Sequence, residues 1–248
     1  MTCFGLIGYP LGHSFSVSYF TRKFEDQGID ASYRNFPLES ISGFRELILN
    51  EPDLRGLNVT VPYKEMVIPH LDALDQTSRT IGAVNTIAFC RINGRLSLIG
   101  HNTDVIGFER SLKEHLMPHH TKALVLGTGG SSKAVVFVLD AMGIGYRVIS
   151  RSRREGFMNY EDLSRSVISA YSLIINTTPL GMHPHVDTCP GIRYDAISTD
   201  HLLFDLVYNP EKTLFLSRGE QQGATIVNGY DMLVYQAEAS WEIWNKER

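Results

Sequence analysis

Cysteine is scarce in this chain. Cys3, Cys90 and Cys189 stand far apart and no two form a CxxC pair. An odd, dispersed set excludes a disulfide framework, offers no thiolate metal site and suits a reducing compartment. Long apolar runs are missing too: no stretch approaches the roughly 18 uninterrupted apolar residues of a bilayer-crossing helix. Met1-Thr2-Cys3-Phe4-Gly5 carries no basic segment followed by an apolar one, so no secretory leader is expected and cytoplasm is the expected location. There is no excess of positive charge. A formal net charge of -4 gives no general attraction to nucleic acid or to anionic membranes, so any anionic ligand must be held by a local site. Internal repeats and low-complexity tracts are absent as well. What is present is ordinary for a globular protein: 43% hydrophobic and 20% charged residues, in a length that allows one large domain or two modest ones.

Short apolar runs alternate with longer amphipathic ones, the pattern of an α/β protein with mainly parallel strands. Phe4 to Ile7 reads as a strand and Val17 to Gln27 as a helix ended by Gly28. Leu57 to Val61 reads as a strand stopped by Pro62. Val84 to Cys90 and Leu96 to Ile99 flank Asn93-Gly94, a hairpin signal, so this pair is expected to be antiparallel. Further on, Ala123 to Leu126 is a strand that runs into a glycine turn and a helix over Lys133 to Met142. Arg147 to Ile149, Leu173 to Asn176 and Leu203 to Leu206 are buried-strand candidates, and Met232 to Trp244 is a terminal amphipathic helix. The change of style near Asn102 to Gly107 marks a boundary. We expect residues 1–104 with 230–248 to form an N-terminal, mostly parallel α/β domain, and 105–229 a Rossmann-type domain. The last helix is expected to pack back on the first half, with a cleft between the two.

Gly127-Thr128-Gly129-Gly130-Ser131 follows a strand and opens a helix. Glycines there let the backbone approach a pyrophosphate, and the helix N-terminus offers N–H groups and partial positive charge. A plain tight turn is the alternative. The next strand ends in Ser150-Arg151-Ser152-Arg153-Arg154. An NAD site usually carries Asp or Glu at that offset, whereas arginine favours the 2′-phosphate of NADP through charge-assisted, forked hydrogen bonds. A solvated basic turn is the competing explanation. Asn176-Thr177-Thr178 follows another strand and places polar groups at a ligand-facing strand end, or simply in a loop.

Three segments of the first half combine small polar residues with one lysine and one aspartate. Ser14 and Ser16 flank Phe15 after the first strand, where their hydroxyls suit a carboxylate and equally a helix cap. Asn58-Val59-Thr60-Val61-Pro62-Tyr63-Lys64 is the second, with Asn58 and Thr60 on one side of an extended strand. The third is Asn102-Thr103-Asp104, preceded by Gly82-Ala83-Val84-Asn85-Thr86. Alone, a lysine of this kind is usually a surface charge and an Asn-Thr-Asp usually a helix start.

Together these segments resemble the shikimate dehydrogenase family. Gly8 to Ser16, Asn58 to Lys64, Gly82 to Thr86, Asn102 to Gly107, Gly127 to Ser131, Ser150 to Ser152, Asp205 to Pro210 and Gly229 to Gln236 follow that family's motifs in order, almost end to end. The resemblance implies an NADP-dependent oxidoreductase that reversibly reduces 3-dehydroshikimate to shikimate, in the pathway to chorismate and the aromatic amino acids. Its first domain would bind the substrate and its second NADP, with no metal. Lys64 would be the acid/base and Asp104 its partner. Ser14 and Ser16, helped by Tyr208 and Thr60, would hold the substrate carboxylate, while Asn85, Asp104 and Gln236 would read the ring hydroxyls. Gly127, Thr128, Gly129, Gly130, Ser131 and Thr177 would cradle the cofactor. Ser150, Arg151, Ser152 and Arg154 would clamp its 2′-phosphate, and Leu206 and Gly229 would line the nicotinamide. The chain departs from the pattern in the clamp, where Ser150 and Ser152 replace asparagine and threonine and Glu155 stands at the family's second basic position. The alternatives are a quinate/shikimate dehydrogenase with NAD or mixed cofactor use, and a ligand-sensing homologue without turnover. No nucleic-acid or membrane partner is expected, and the state is monomer or homodimer.

Overall fold

The computed structural model describes residues 1–12, 14–92 and 94–246; the motif residues His13 and Asn93 lie outside the described residues. The chain divides into two compact units, Met1–Thr103 with Ala237–Arg248, and Asp104–Gln236. Among the described residues, no helix is long and apolar enough to cross a membrane.

The first unit is built on strands β1 (Thr2–Gly8), β2 (Ala31–Pro37), β3 (Leu54–Val59), β4 (Ala73–Leu74), β5 (Thr86–Ile92) and β6 (Arg95–His101). They pair in the order β2-β1-β3-β5-β6-β4. β1 runs parallel to β2 and β3, and β5 and β6 form the expected antiparallel hairpin. Side chains alternate across this sheet. Ile7, Leu57, Val59, Ile87 and Phe89 pack on one face with Phe44 and Tyr63. Phe4, Leu6, Ala88 and Cys90 pack on the other with Phe20, Phe24 and Trp244. Helices α1 (Phe15–Gln27), α2 (Phe44–Asn50), α3 (Tyr63–Met66) and α4 (Gln76–Ile81) join the strands. β3 begins and ends earlier than the expected Leu57 to Val61. The chain turns after Val59, where the Tyr63 N–H bonds the Thr60 carbonyl at 2.9 Å and Val61 is exposed. Thr60 thus lies one residue past the strand.

The second unit contains α5 (Asp104–Lys113), β7 (Lys122–Leu126), α6 (Gly130–Ala141), β8 (Gly145–Ser150), β9 (Met158–Asn159), α7 (Arg165–Ala170), β10 (Leu173–Asn176), β11 (Leu202–Asp205), α8 (Leu214–Glu220) and β12 (Thr225–Val227). Its strands are all parallel and lie in the order β12-β11-β10-β7-β8-β9. Counted from β7 this is 3-2-1-4-5-6 reversed end for end, the doubly wound dinucleotide-binding order, whose switch point falls between β7 and β10.

The last helix, α9 (Tyr230–Lys246), is divided. Ala237 and Trp244 belong to the core of the first unit, where the Trp244 ring stacks on Phe4 at 4.7 Å and its Nε1 donates to the Ile87 carbonyl at 3.1 Å. Residues 230–236 were expected there too, but they pack in the second unit. Gly107 lies against the Met232 backbone, the Arg110 guanidinium sits 4.0 Å from the Tyr235 ring, and the Tyr235 hydroxyl donates to Glu114 at 2.8 Å. Asp104 likewise falls in the second unit, as the first residue of α5.

Candidate active site

In the first unit, backbone hydrogen bonds tie the motif segments together. Val59 N donates to the Asn85 carbonyl at 2.8 Å, Val84 N to the Lys64 carbonyl at 2.7 Å, and Asn85 N to the His101 carbonyl at 3.0 Å. The Asn102 side chain adds a bond to the Ala83 carbonyl at 2.9 Å. The helix carrying Lys64 has only four residues, too few to persist on intrinsic propensity. It is fixed instead by buried Tyr63, whose hydroxyl bonds the Leu38 carbonyl, and by buried Val67. Lys64 is half-buried on this anchored turn.

Ser14 caps α1, accepting from Val17 N, so the capping role holds. Its hydroxyl also donates to Asn35 Oδ1 at 2.9 Å, and Asn35 Nδ2 reaches the Gly12 carbonyl at 3.1 Å. Burial pushes the Tyr33 phenol well above the ordinary tyrosine range, and Ser16 beside it opposes the shift. Asn35 and Tyr33 both come from β2, which the sequence reading did not find. Asn85 is buried, with Oδ1 accepting from Thr103 N at 2.6 Å and Nδ2 donating to Thr103 Oγ1 at 3.0 Å.

The second unit places the residues expected to hold the cofactor at the C-terminal ends of its strands. Gly127 follows β7 with φ 118°, a conformation that favours glycine. A Cβ there would stand 2.6 Å from Thr177 Oγ1, which itself donates to the Leu126 carbonyl at 2.8 Å. Gly127 and Thr177 thus flank the switch point between β7 and β10. α6 begins directly behind them with Gly129 as its N-cap, and Ser132 Oγ closes its first turn on the Gly129 carbonyl at 2.9 Å. Thr128 and Ser131 are half-buried beside this turn. Leu206 N donates to the Asn176 carbonyl, and Gly229 lies so close that a Cβ would meet the Leu206 carbonyl oxygen at 2.2 Å. Tyr208 is half-buried in the loop after β11, and Gln236 is buried with Nε2 on the Leu233 carbonyl at 3.0 Å.

The basic loop after β8 is exposed from Arg151 to Phe157, while Ser150 is buried. Asn159 anchors it, donating to the carbonyls of Ser150 at 3.2 Å and Arg151 at 3.1 Å. Arg153 pairs with Glu161 at 2.9 Å. Arg153 and Arg154 line a cleft of about 300 Å³ with Glu155, Phe157, Asn159 and Asp162.

Asp205 is a site-bordering residue whose role the motif alone did not reveal. It is fully buried at the end of β11, and burial pushes its carboxyl up to about 6 despite hydrogen bonds from Thr213, Val207 N and Asn176. A carboxyl whose folded value exceeds its unfolded value of about 3.9 stabilises the fold fully below that lower value and loses the contribution as pH rises through the upper one. We predict that unfolding free energy falls by on the order of 2–3 kcal/mol from this group between about pH 4 and pH 7. Asp205→Asn should flatten that slope in urea titrations at the two pH values; an unchanged slope would assign it to other groups.

The donor set fits a dinucleotide: a glycine cradle that a Cβ would fill, a helix N-terminus behind it and exposed arginines at the end of β8. Among the described residues, no group of His, Cys, Asp and Glu side chains is arranged to hold a metal ion.

Comparisons with known proteins point to one family. Residues 6–87 match the family model described as the shikimate dehydrogenase substrate binding domain. A shikimate dehydrogenase (NADP(+)) of Halothermothrix orenii is 38% identical over 267 residues, spanning 97% of this chain and 89% of the relative. Among solved structures, shikimate 5-dehydrogenase of Thermus thermophilus in complex with NADP(H) and shikimate superposes with a TM-score of 0.86 at 28% identity, covering 99% of this chain and 94% of the other. Quinate dehydrogenase of Corynebacterium glutamicum in complex with NAD gives 0.85 at 27% identity, with coverage of 99% and 94%.

Proposed function

Because this chain belongs to the shikimate dehydrogenase family, we propose that it catalyses the reversible NADPH-dependent reduction of 3-dehydroshikimate to shikimate. The observation that carries the reading is the anchored Lys64 turn, tied by backbone bonds to the segment bearing Asn85, in a chain whose second unit has the dinucleotide-binding strand order.

NADPH, when bound, supplies the hydride that the ketone carbon receives. Lys64, as the ammonium, gives a proton to the oxygen on which negative charge grows, and as the amine takes it back in the reverse direction. Asp104 holds the ammonium in place and accepts from a ring hydroxyl, which fixes the proton donor in a reactive orientation. Ser14, Ser16 and Thr60 of the first unit hold the carboxylate, and Asn85 reads a ring hydroxyl. Tyr208 and Gln236 of the second unit are assigned to the same substrate. Gly127 to Ser131 and Thr177 hold the pyrophosphate side of the cofactor, Leu206 and Gly229 line its nicotinamide, and Ser150, Arg151, Ser152 and Arg154 hold its 2′-phosphate. The proposed location is the cytoplasm. The proposed state is monomer or homodimer, which light scattering of the purified protein decides.

A quinate-using, NAD-linked enzyme is the second reading, suggested by the likeness to the Corynebacterium protein. Buried Ser150 occupies the end of β8 where a 2′-OH-binding carboxylate would stand, which favours NADP. The test is the formation of reduced cofactor with shikimate or quinate, each with NADP or NAD. Turnover is expected to be fastest with shikimate and NADP. Binding of shikimate without turnover under any pairing would make the chain a ligand sensor.

A further inference from the structure

Behind Asn85 lies a connected set of buried polar side chains that the proposed chemistry does not use directly. We infer that this set orients the substrate-reading groups of the first unit, and that Ser240 on α9 is the positioning residue that closes it. The inference rests on the reading of Asn85 as a substrate contact.

Ser240 is fully buried. Its hydroxyl lies 2.8 Å from Thr86 Oγ1 and 3.2 Å from Thr103 Oγ1, and it accepts from Asn58 Nδ2 at 2.9 Å. Asn58 Nδ2 also reaches Thr86 Oγ1 at 3.1 Å and the Asn85 carbonyl at 3.2 Å. On its other side Asn58 Oδ1 accepts from the Tyr33 hydroxyl at 2.8 Å. Thr86 and Thr103 hydroxyls stand 3.1 Å apart, and Thr103 is bonded to Asn85 through both its N–H and its hydroxyl. One unbroken path therefore links Tyr33 on β2 to Asn85, and to the backbone N–H immediately before Asp104.

Physical chemistry says what such a path does. A buried hydroxyl without a partner is costly, and apolar residues of the same volume would fill this space without that cost. What the hydroxyls add is direction. The Thr103 N–H can be faced only by the oxygen of the Asn85 amide, which fixes which way that amide points. Thr103 is itself held by Thr86 and Ser240, and both of these by Asn58. Removing the Ser240 hydroxyl takes a shared partner from three side chains at once and loosens Asn85 without touching any residue assigned to the cofactor.

The test uses the full-length protein and reads shikimate affinity by calorimetry without cofactor, KM for shikimate and for NADP, and the melting temperature. Ser240→Ala should raise the shikimate Kd and KM about five- to tenfold and leave the NADP KM within about twofold. Thr86→Val, which keeps the volume and loses the hydroxyl, should do the same. Thr86→Ser, which keeps the hydroxyl and loses a methyl, should lower the melting temperature more than it changes shikimate affinity. If Ser240→Ala does not fold, the Thr86 pair decides alone. Shikimate affinity within about twofold of wild type in both hydroxyl-less variants would overturn the inference, as would parallel losses for shikimate and NADP that track the melting temperature. Asn85→Ala separates the two levels. If it binds shikimate normally, the substrate reading itself fails; if it loses binding while Ser240→Ala and Thr86→Val do not, only the positioning role fails.

Discussion

Lys64→Ala is expected to lower kcat by about 10²–10⁴-fold, the range of a positioned proton donor, with a much smaller change in the KM for shikimate. The reason is the timing of the charge. The ketone oxygen becomes strongly basic only as hydride arrives, so a donor to that oxygen stabilises the transition state far more than the bound ground state. Lys64→Arg should stay near the alanine level. A guanidinium keeps the positive charge but does not give up a proton near neutral pH, so charge alone is not restored function. The surrounding fold should survive, because the backbone carbonyl of residue 64, not its side chain, carries the bond to Val84, and Tyr63 remains as the anchor of the turn. Steady-state kinetics with shikimate and NADP, alongside the melting temperature, reads all of this. A stable Lys64→Ala protein with wild-type kcat would remove this residue from the chemistry.

Arg151→Ala is expected to raise the KM for NADP about ten- to hundredfold while leaving that for NAD nearly unchanged, which is the scale of losing a charge-assisted, forked contact to phosphate. The two cofactors differ only at the 2′ position, so the ratio isolates the clamp from the rest of the site. Arg154→Ala should follow in the same direction with a smaller loss. Arg153→Ala should matter least, because Arg153 is already paired with Glu161. Equal losses for NADP and NAD in Arg151→Ala would assign the residue to general folding of the loop. A larger effect at Arg153 than at Arg154 would mean that the Glu161 pair opens when the cofactor binds.

The strands read closest to their observed limits were those buried on both faces. Leu173 to Asn176 was read at its observed limits, and Ala123 to Leu126 fell one residue short. Such strands show as unbroken apolar runs. β2 was missed because it is an edge strand in which Ser32, Arg34 and Asn35 interrupt the apolar pattern, and β12 because it has only three residues. The hairpin was legible from its turn, although Asn93 lies outside the described residues. The candidate site was legible as motifs whose spacing is dictated by local chemistry: a glycine turn before a helix, an arginine after a strand, a serine before a helix. The partners that hold those motifs were not legible. Asn35 behind Ser14 and Ser240 behind Asn85 are single polar residues distant in sequence, brought there only by the strand order and the helix packing, and Asn159 behind Arg151 lies beyond the motif in a two-residue strand. The division of α9 was illegible for a related reason: one amphipathic stripe is continuous through Gln236 and Ala237, yet its two parts have different neighbours.

The loop after β8 has a consequence for how this protein can change. Its residues from 151 to 157 are exposed, and its path is set from outside by one buried asparagine that bonds main-chain oxygens rather than side chains. Side-chain identity in that stretch is therefore nearly independent of the scaffold. With Arg151 and Arg154 as the proposed clamp, a laboratory library over this stretch should change which dinucleotide is preferred without disturbing the core of the second unit.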